Sequence, residues 1–240
     1  MPFQLAIDRG NSRTKVSVAD SNGLIVDHFS ATDVLLEQEL VRISENYQIN
    51  RCILSNVRDE DFTLPAHWNC ITISKLLKFP FINAYGTPET AGHDRLANMA
   101  GATVLFPGEN VLVIDCGTCI TYSVLIQNTF LGGSITPGVQ MRYKALHHFT
   151  GKLPEIEKLG KIPALMGKTT EGSIHSGVEF AVLAEASGMI KAYQQEFGLL
   201  KVVITGGDYS FFEKYLKSAT FASALLTQIG LHEILRINNV

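Results

Sequence analysis

The sequence predicts an α/β fold built twice, each half a mixed β-sheet flanked by helices. Three observations predict it. An apolar run, Phe3 to Ile7, ends at the carboxylate of Asp8; Gly10 and Asn11 follow, and Val16 and Val18 resume the alternation of a second strand. The same device returns at the start of the second half, where Val111 to Ile114 lead into Asp115, Gly117 and Thr118 and then a strand from Ile120 to Ile126. Each half then continues in the order strand, helix, strand, helix, as a meander does when crossovers cover its sheet. One Asp-x-Gly after a strand is common in hairpin turns. Two, at matching places in a chain of 240 residues, point to duplication. The expected halves are 1–109 and 110–240.

In the first half, strands are expected at 3–7, 15–19 and 24–29, with Ser21-Asn22-Gly23 turning between the last two. Asp33 to Tyr47 reads as a helix with Thr32 or Asp33 as its cap and Val34, Leu35, Leu40, Val41 and Ile43 as its apolar stripe. Cys52 to Leu54 and Ile71 to Ile73 read as buried strands. Phe79 to Thr90 reads as an ordered loop, and Asp94 to Phe106 as a helix whose Ala97, Ala100, Gly101 and Ala102 allow close packing. In the second half, strands are expected at 111–115, 120–126 and 129–134. Pro137 is expected at the first position of a helix, and 151–168 looks irregular. Glu171 to Phe197 reads as one long helix interrupted in pattern by Gly177 and Gly188. A strand at 202–204, a short helix at 209–217 and a last apolar helix at 229–237, crossing back onto the first half, complete the chain. This order is that of the acetate kinase, sugar kinase, Hsp70 and actin superfamily: duplicated ribonuclease H-like (actin-like ATPase) domains. It does not choose among the members.

Composition narrows the function. Apolar residues make up 46% and charged residues 18%, so a sizeable core is available and wholesale disorder is excluded. A net charge of -3 gives no electrostatic footprint for nucleic acid. No apolar run is long enough to span a bilayer and no signal peptide is evident, so a soluble cytoplasmic protein is expected. Cys116-x-x-Cys119 has redox or zinc spacing. A redox pair wants a following helix, yet β-prone residues 120–124 follow; zinc wants two further ligands, and no second such pair exists.

The turn at Asp8 offers backbone N–H groups, the Ser12 hydroxyl and the Lys15 ammonium, which suit phosphate oxygens. A carboxylate there would repel phosphate unless a cation lay between, so Asp8 itself points to Mg²⁺. Two such turns, facing each other across a cleft, can hold a nucleotide. Asp94, opening a helix in Gly92-His93-Asp94-Arg95, is the candidate general base, with Arg95 able to hold a carboxylate or phosphate. Locally, a plain helix cap is the commoner role for such an Asp. His93 reads more simply as a satisfied polar residue, and His147-His148 as an exposed helix end. Gly132-Gly133 and Gly206-Gly207 are strand-end pairs that either admit a ligand or form ordinary bulges. Gly167-Lys168-Thr169-Thr170 is not a P-loop, because Ile162 stands where the first glycine belongs; Thr169 and Thr170 either cap the next helix or face a ligand.

Assembled in order, these stretches resemble the type III pantothenate kinases, the Bvg accessory factor-like family. Asp8-Arg9-Gly10-Asn11-Ser12-Arg13-Thr14-Lys15 resembles its Asp-x-Gly-Asn-Thr-x-x-Lys motif, and Tyr85-Gly86 with Gly92-His93-Asp94-Arg95 its pantothenate-binding segments. Asp115-Cys116-Gly117-Thr118-Cys119-Ile120-Thr121 resembles Asp-x-Gly-Thr-Ala-x-Thr; Gly132 to Gly138 and Gly167 to Thr170 match further segments. The resemblance implies ATP-dependent phosphorylation of the primary hydroxyl of pantothenate to 4'-phosphopantothenate, the first step of coenzyme A biosynthesis, without inhibition by coenzyme A. It implies that Asp8, Arg9, Gly10, Asn11, Ser12, Arg13, Thr14, Lys15 and Thr118 bind ATP, Asp8 through Mg²⁺. It makes Asp94 the proton acceptor, Asp115 the ligand of a monovalent cation (K⁺ or NH₄⁺), and Tyr85, Gly92, His93, Asp94, Arg95 and Thr170 the pantothenate site. It also implies a homodimer. Ser12 and Cys119 are conservative departures, whereas Arg9 adds a charge beside the turn and is the departure to watch for an altered ATP affinity. Two alternatives are another small-molecule kinase of the superfamily and a non-catalytic nucleotide-binding regulator. The joint presence of Asp8, Lys15, Asp94 and Asp115 speaks against the regulator.

Overall fold

The structure is a computed structural model, and its described residues are 2–58, 62–74, 76–217 and 221–238. Contacts divide the chain into two units: Met1–Gly108 with Gln127–Leu131 and Leu225–Val240, and Glu109–Ile126 with Gly132–Ala224.

In the first unit, the N-terminal apolar run forms β1 (Phe3–Arg9), which keeps Asp8 and Arg9 inside the strand, beyond the expected end. β2 (Thr14–Ala19) returns antiparallel to it, followed by β3 (Ile25–Ala31), antiparallel to β2. β4 (Ile49–Asn56) lies parallel to β1, and the short β5 (Cys70–Thr72) parallel to β4, giving the order β3-β2-β1-β4-β5. α1 (Asp33–Asn46) covers one face, where Leu5, Ile7, Val16, Val18 and Leu54 pack with Leu36, Ile43 and Trp68. This corrects the expected stripe: Val34, Leu35 and Val41 are exposed, and Leu36 and Ile43 are buried with Leu40 beside them. The spacing 36, 40, 43 is one helical face, whereas the other apolar residues lie off it.

The opposite face carries α2 (His93–Leu105) and α7 (Leu226–Asn238), which pack on each other, α7 also on β1 and β4. The small residues of α2 permit the contact: a side chain on Gly101 would strike the Leu226 backbone. α7 is tied to the sheet by a buried polar network. Ser17 Oγ donates to Gln228 Oε1 at 2.7 Å and lies 2.9 Å from His232 Nε2, while Gln228 Nε2 donates to the Lys15 carbonyl at 3.3 Å. The expected loop at 79–90 contains a two-residue strand, β6 (Ile82–Asn83), paired with Thr129 and Phe130.

In the second unit, β7 (Val111–Cys116) and β8 (Cys119–Ile126) are antiparallel, and β9 (Thr129–Pro137) follows β8 in the sheet. β10 (Lys201–Thr205) is parallel to β7, and β11 (Phe221–Ala222), which periodicity is too short to reveal, is parallel to β10. Leu112, Ile114, Tyr122, Val124, Val202 and Ile204 bury one face of this sheet under α3 (Val139–His148), α4 (Thr170–His175), α5 (Ala181–Phe197) and α6 (Tyr209–Tyr215). Pro137 ends β9 and Gly138 caps α3, so the proline precedes the cap instead of opening the helix. The expected single helix 171–197 is α4 and α5 joined by a π-helical turn, Ser176–Phe180, which absorbs Gly177 without ending the helix. Glu179 of that turn takes the Tyr143 hydroxyl and the backbone N–H groups of Leu159 and Gly160, which fastens the irregular segment 151–168. No described helix is long and apolar enough to cross a membrane.

Candidate active site

Asp8 stands where β1 reaches its turn. It faces Lys15 across β2 and Ser55 across β4. Directly paired residues share a face of the sheet, so carboxylate, ammonium and hydroxyl lie side by side. Ser55 Oγ donates to Asp8 Oδ1 at 2.9 Å, and Asp8 is 7% exposed. The connecting loop, Gly10 to Arg13, is closed by Gly10 N–H donating to the Arg13 carbonyl at 3.1 Å. Asn11, Ser12 and Arg13 are exposed. Neither Gly10 nor Asn11 takes a positive φ; a four-residue loop can turn without a left-handed residue.

Arg58 was not evident from sequence. Its Nε donates to the Gly10 carbonyl at 2.7 Å, and a second nitrogen lies 2.5 Å from Asp33 Oδ2. It thereby braces the turn and adds a positive charge beside it. The available signal was its position just past β4, the parallel neighbour of β1, at the strand-end edge where ligands bind in such sheets. Arg9 behaves otherwise. Alternation puts it on the face of Leu5 and Ile7, and its guanidinium carbon lies 4.6 Å from the Phe62 ring centroid with the residue 5% exposed. Its side chain points away from the face that Asp8, Lys15 and Ser55 share.

The start of α2 meets the same edge. His93 hydrogen-bonds the Asn56 backbone, and Asn56 is the β4 partner of Arg9. Burial pushes the His93 imidazole below its usual pKa, which keeps it neutral. Gly92 is the N-cap and makes no side-chain bond; Asp94 lies in the first turn, with Oδ1 accepting the Arg95 N–H at 2.7 Å. The carboxylate therefore leans on the helix N-terminus without being the cap residue. Arg95 is buried, its guanidinium carbon 5.3 Å from the Tyr85 ring and 5.4 Å from the Phe130 ring. Tyr85 and Phe130 stack at 5.7 Å. Phe130 was missed, because its place beside Tyr85 depends on the β6 pairing, which no local pattern announces.

In the second unit, Asp115 faces Thr121 across β8 and Thr205 across β10. The arrangement repeats that of Asp8, with a hydroxyl where Lys15 stands. The Thr205 hydroxyl is buried and without a hydrogen-bond partner. Gly206 has φ +97°, and a Cβ there would reach Asp115 Oδ1 and the Cys116 backbone, so a side chain would collide with the carboxylate. Asp208 N–H donates to the Cys116 carbonyl at 2.8 Å, and Lys158 pairs with the Asp208 carboxylate. Thr118 is exposed in the β7–β8 turn, its carbonyl accepting Gly138 N–H at 3.0 Å. Burial, then the charges of Asp115 and Asp208, push the Cys116 thiol well up, which opposes thiolate chemistry there.

The remaining candidates divide. Thr169 caps α4 by accepting the Gly172 N–H at 3.0 Å, whereas Thr170 lines an open pocket of about 760 Å³ with Lys168, Ser173 and Leu153. Gly133 admits backbone, not a ligand: its Cβ would collide with the Tyr122 carbonyl. Gly207 faces open space. His147 and His148 are exposed at the end of α3.

The family profile described as type III pantothenate kinase matches residues 4–192. A type III pantothenate kinase of Bacteroides fragilis is 38% identical, with 99% of each chain covered. One of Cytophaga hutchinsonii is 41% identical over 98% of this chain and all of the relative. Among solved structures, a Baf family protein of Campylobacter jejuni superposes with TM-score 0.63 at 22% identity, covering 98% of both chains. A ROK family glucokinase of Streptomyces griseus, in complex with glucose and AMPPNP, superposes with TM-score 0.52 at 11% identity, covering 99% of both chains, a likeness of fold alone. The fold is thus the duplicated actin-like ATPase fold, and the chain belongs to the type III pantothenate kinase family.

Proposed function

We propose that the protein transfers the γ-phosphoryl group of ATP to the primary hydroxyl of pantothenate, giving 4'-phosphopantothenate and ADP. The observation that carries this is the strand-end edge of the first unit. There a phosphate-suited turn with Asp8, Lys15 and Ser55 adjoins the first turn of α2 with Asp94 and Arg95. Family membership over nearly the whole chain supplies the substrate.

The backbone N–H groups of 11–13, the Ser12 hydroxyl and Lys15 bind the phosphates, braced by Arg58. Thr118 is a further ATP contact. A carboxylate about 4 Å from a phosphate oxygen is repelled by about 4 kcal/mol at an effective dielectric of 20. Asp8 therefore fits a phosphate site as a ligand of Mg²⁺, directly or through water. Asp115 fits a monovalent cation, K⁺ or NH₄⁺: its neighbours across both strands are hydroxyls, and the Thr205 oxygen is buried and unpartnered. These cations, when bound, neutralise phosphate charge.

Asp94 accepts the proton of the attacking hydroxyl. Its carboxylate is held in the first turn of α2, where Oδ1 accepts the Arg95 N–H. Arg95, held over Tyr85 and Phe130, orients the substrate carboxylate, with His93 and Thr170 as further substrate contacts. The working form is a cytoplasmic homodimer. Purified protein with MgATP should release ADP only when pantothenate is added, with the product 80 Da heavier than pantothenate, the mass of one added phosphoryl group. ADP release that ignores pantothenate but follows another alcohol would replace the substrate.

A further inference from the structure

Cys52 and Cys70 have no place in the kinase chemistry, yet they lie side by side in the first unit. They are register partners on the parallel strands β4 and β5. Their sulfurs lie 3.0 Å apart. Both are thiols: all four cysteines of the chain are free. Directly paired strand positions bring Cα atoms to about 5 Å, inside the range that a disulfide spans. Closing the bond needs about 1 Å of sulfur movement, which side-chain rotation can supply.

The two thiols are unequal. Cys52 lies in the core with no exposure, whereas Cys70 is half-buried on the strand that ends the sheet. The Cys70 thiol donates to Cys52 sulfur at 3.0 Å and can also direct its hydrogen to the Ile71 carbonyl at 3.7 Å. The hydrogen bond between the two thiols lowers the Cys70 thiol pKa, and the same bond and burial raise that of Cys52.

We propose that Cys52 and Cys70 form an oxidation site that hydrogen peroxide closes to a disulfide between β4 and the edge strand β5. The Cys70 thiolate attacks one peroxide oxygen, the O–O bond breaks, and Cys70 becomes a sulfenic acid as the other oxygen leaves as water after protonation. The Cys52 sulfur, losing its proton, then attacks Cys70 sulfur and expels a second water. Two thiols are oxidised by two electrons and one peroxide is reduced to two waters. Attack begins at Cys70 because it is the accessible and more acidic thiol.

The test treats the full chain with one equivalent of hydrogen peroxide, quenches with an alkylating agent in denaturant and maps peptides without reduction. The expected product is a Cys52–Cys70 linkage with two alkylated cysteines remaining, reversed by dithiothreitol. Cys70→Ser should abolish the linkage while leaving kinase turnover unchanged, and Cys52→Ser should leave Cys70 trapped as a sulfenic acid that dimedone labels. Four alkylated cysteines after peroxide, or a linkage through Cys116 and Cys119 instead, would overturn the proposal. Neither outcome depends on the substrate of the kinase.

Discussion

Asp8 and Asp115 end the central strands of two sheets, and the residues paired with them differ in one respect. Across from Asp8 stand Lys15 and Ser55; across from Asp115 stand Thr121 and Thr205. The backbone plan is shared: an antiparallel neighbour on one side, a parallel neighbour on the other, and a glycine two places on. The charge is not shared. The first turn offers a fixed cation, reinforced by Arg58 at the Gly10 carbonyl, and suits phosphate. The second offers a carboxylate among hydroxyls and suits a cation from solution. The strand pairing is common to both turns; one side chain differs in charge.

The comparison breaks most visibly at Asp94, which has no counterpart in the second unit's turn. Asp94→Asn should lower kcat by about 10²–10⁴-fold, the usual worth of a general base, with the thermal midpoint unchanged. Near-normal turnover would remove Asp94 from proton transfer. Thr121→Lys sharpens the comparison by giving Asp115 the partner that Asp8 has. Turnover should persist within about tenfold, and the advantage of KCl over NaCl should vanish. A mutant that still needs K⁺ would mean that its cation binds elsewhere.

The first unit also differs in what stands behind its turn. His232 is 4% exposed, and burial pushes its pKa down to about 4. Unfolded, it binds a proton near pH 6.5. Between those values the unfolded chain holds more protons, so this stability is whole above pH 6.5 and is lost as pH falls toward 4. From pH 7 to pH 5 the loss is about 2 kcal/mol. Urea unfolding of the wild type and of His232→Gln at both pH values measures it; equal losses in the two proteins would rule out His232 as the source. Smallest is Arg9→Leu. Because the guanidinium lies over Phe62, the change should cost about 1 kcal/mol of stability and leave the KM for ATP within about twofold. A large rise in that KM would restore Arg9 to the phosphate site.

The strands, the paired Asp-x-Gly turns and the helix bearing Asp94 were legible in the sequence, because apolar runs followed by a carboxylate and glycine are strong local signals. What escaped depended on direction or distant pairing. Arg9 is adjacent to Asp8 in sequence but across the sheet from it, since neighbouring strand residues face opposite sides. Val34 and Val41 are apolar yet exposed, so hydrophobicity alone misplaced the face of α1. Phe130 and Arg58 join the site only through contacts that link residues 45 and 48 positions apart in sequence. β6 and β11, two residues each, are too short to show a period.

The most direct test of the division between a phosphate turn and a cation turn is ADP formation from MgATP and pantothenate in KCl against NaCl at equal ionic strength. The account predicts turnover that requires pantothenate and is strongly favoured by K⁺. Equal turnover in the two salts would leave the kinase standing and contradict the cation site at Asp115.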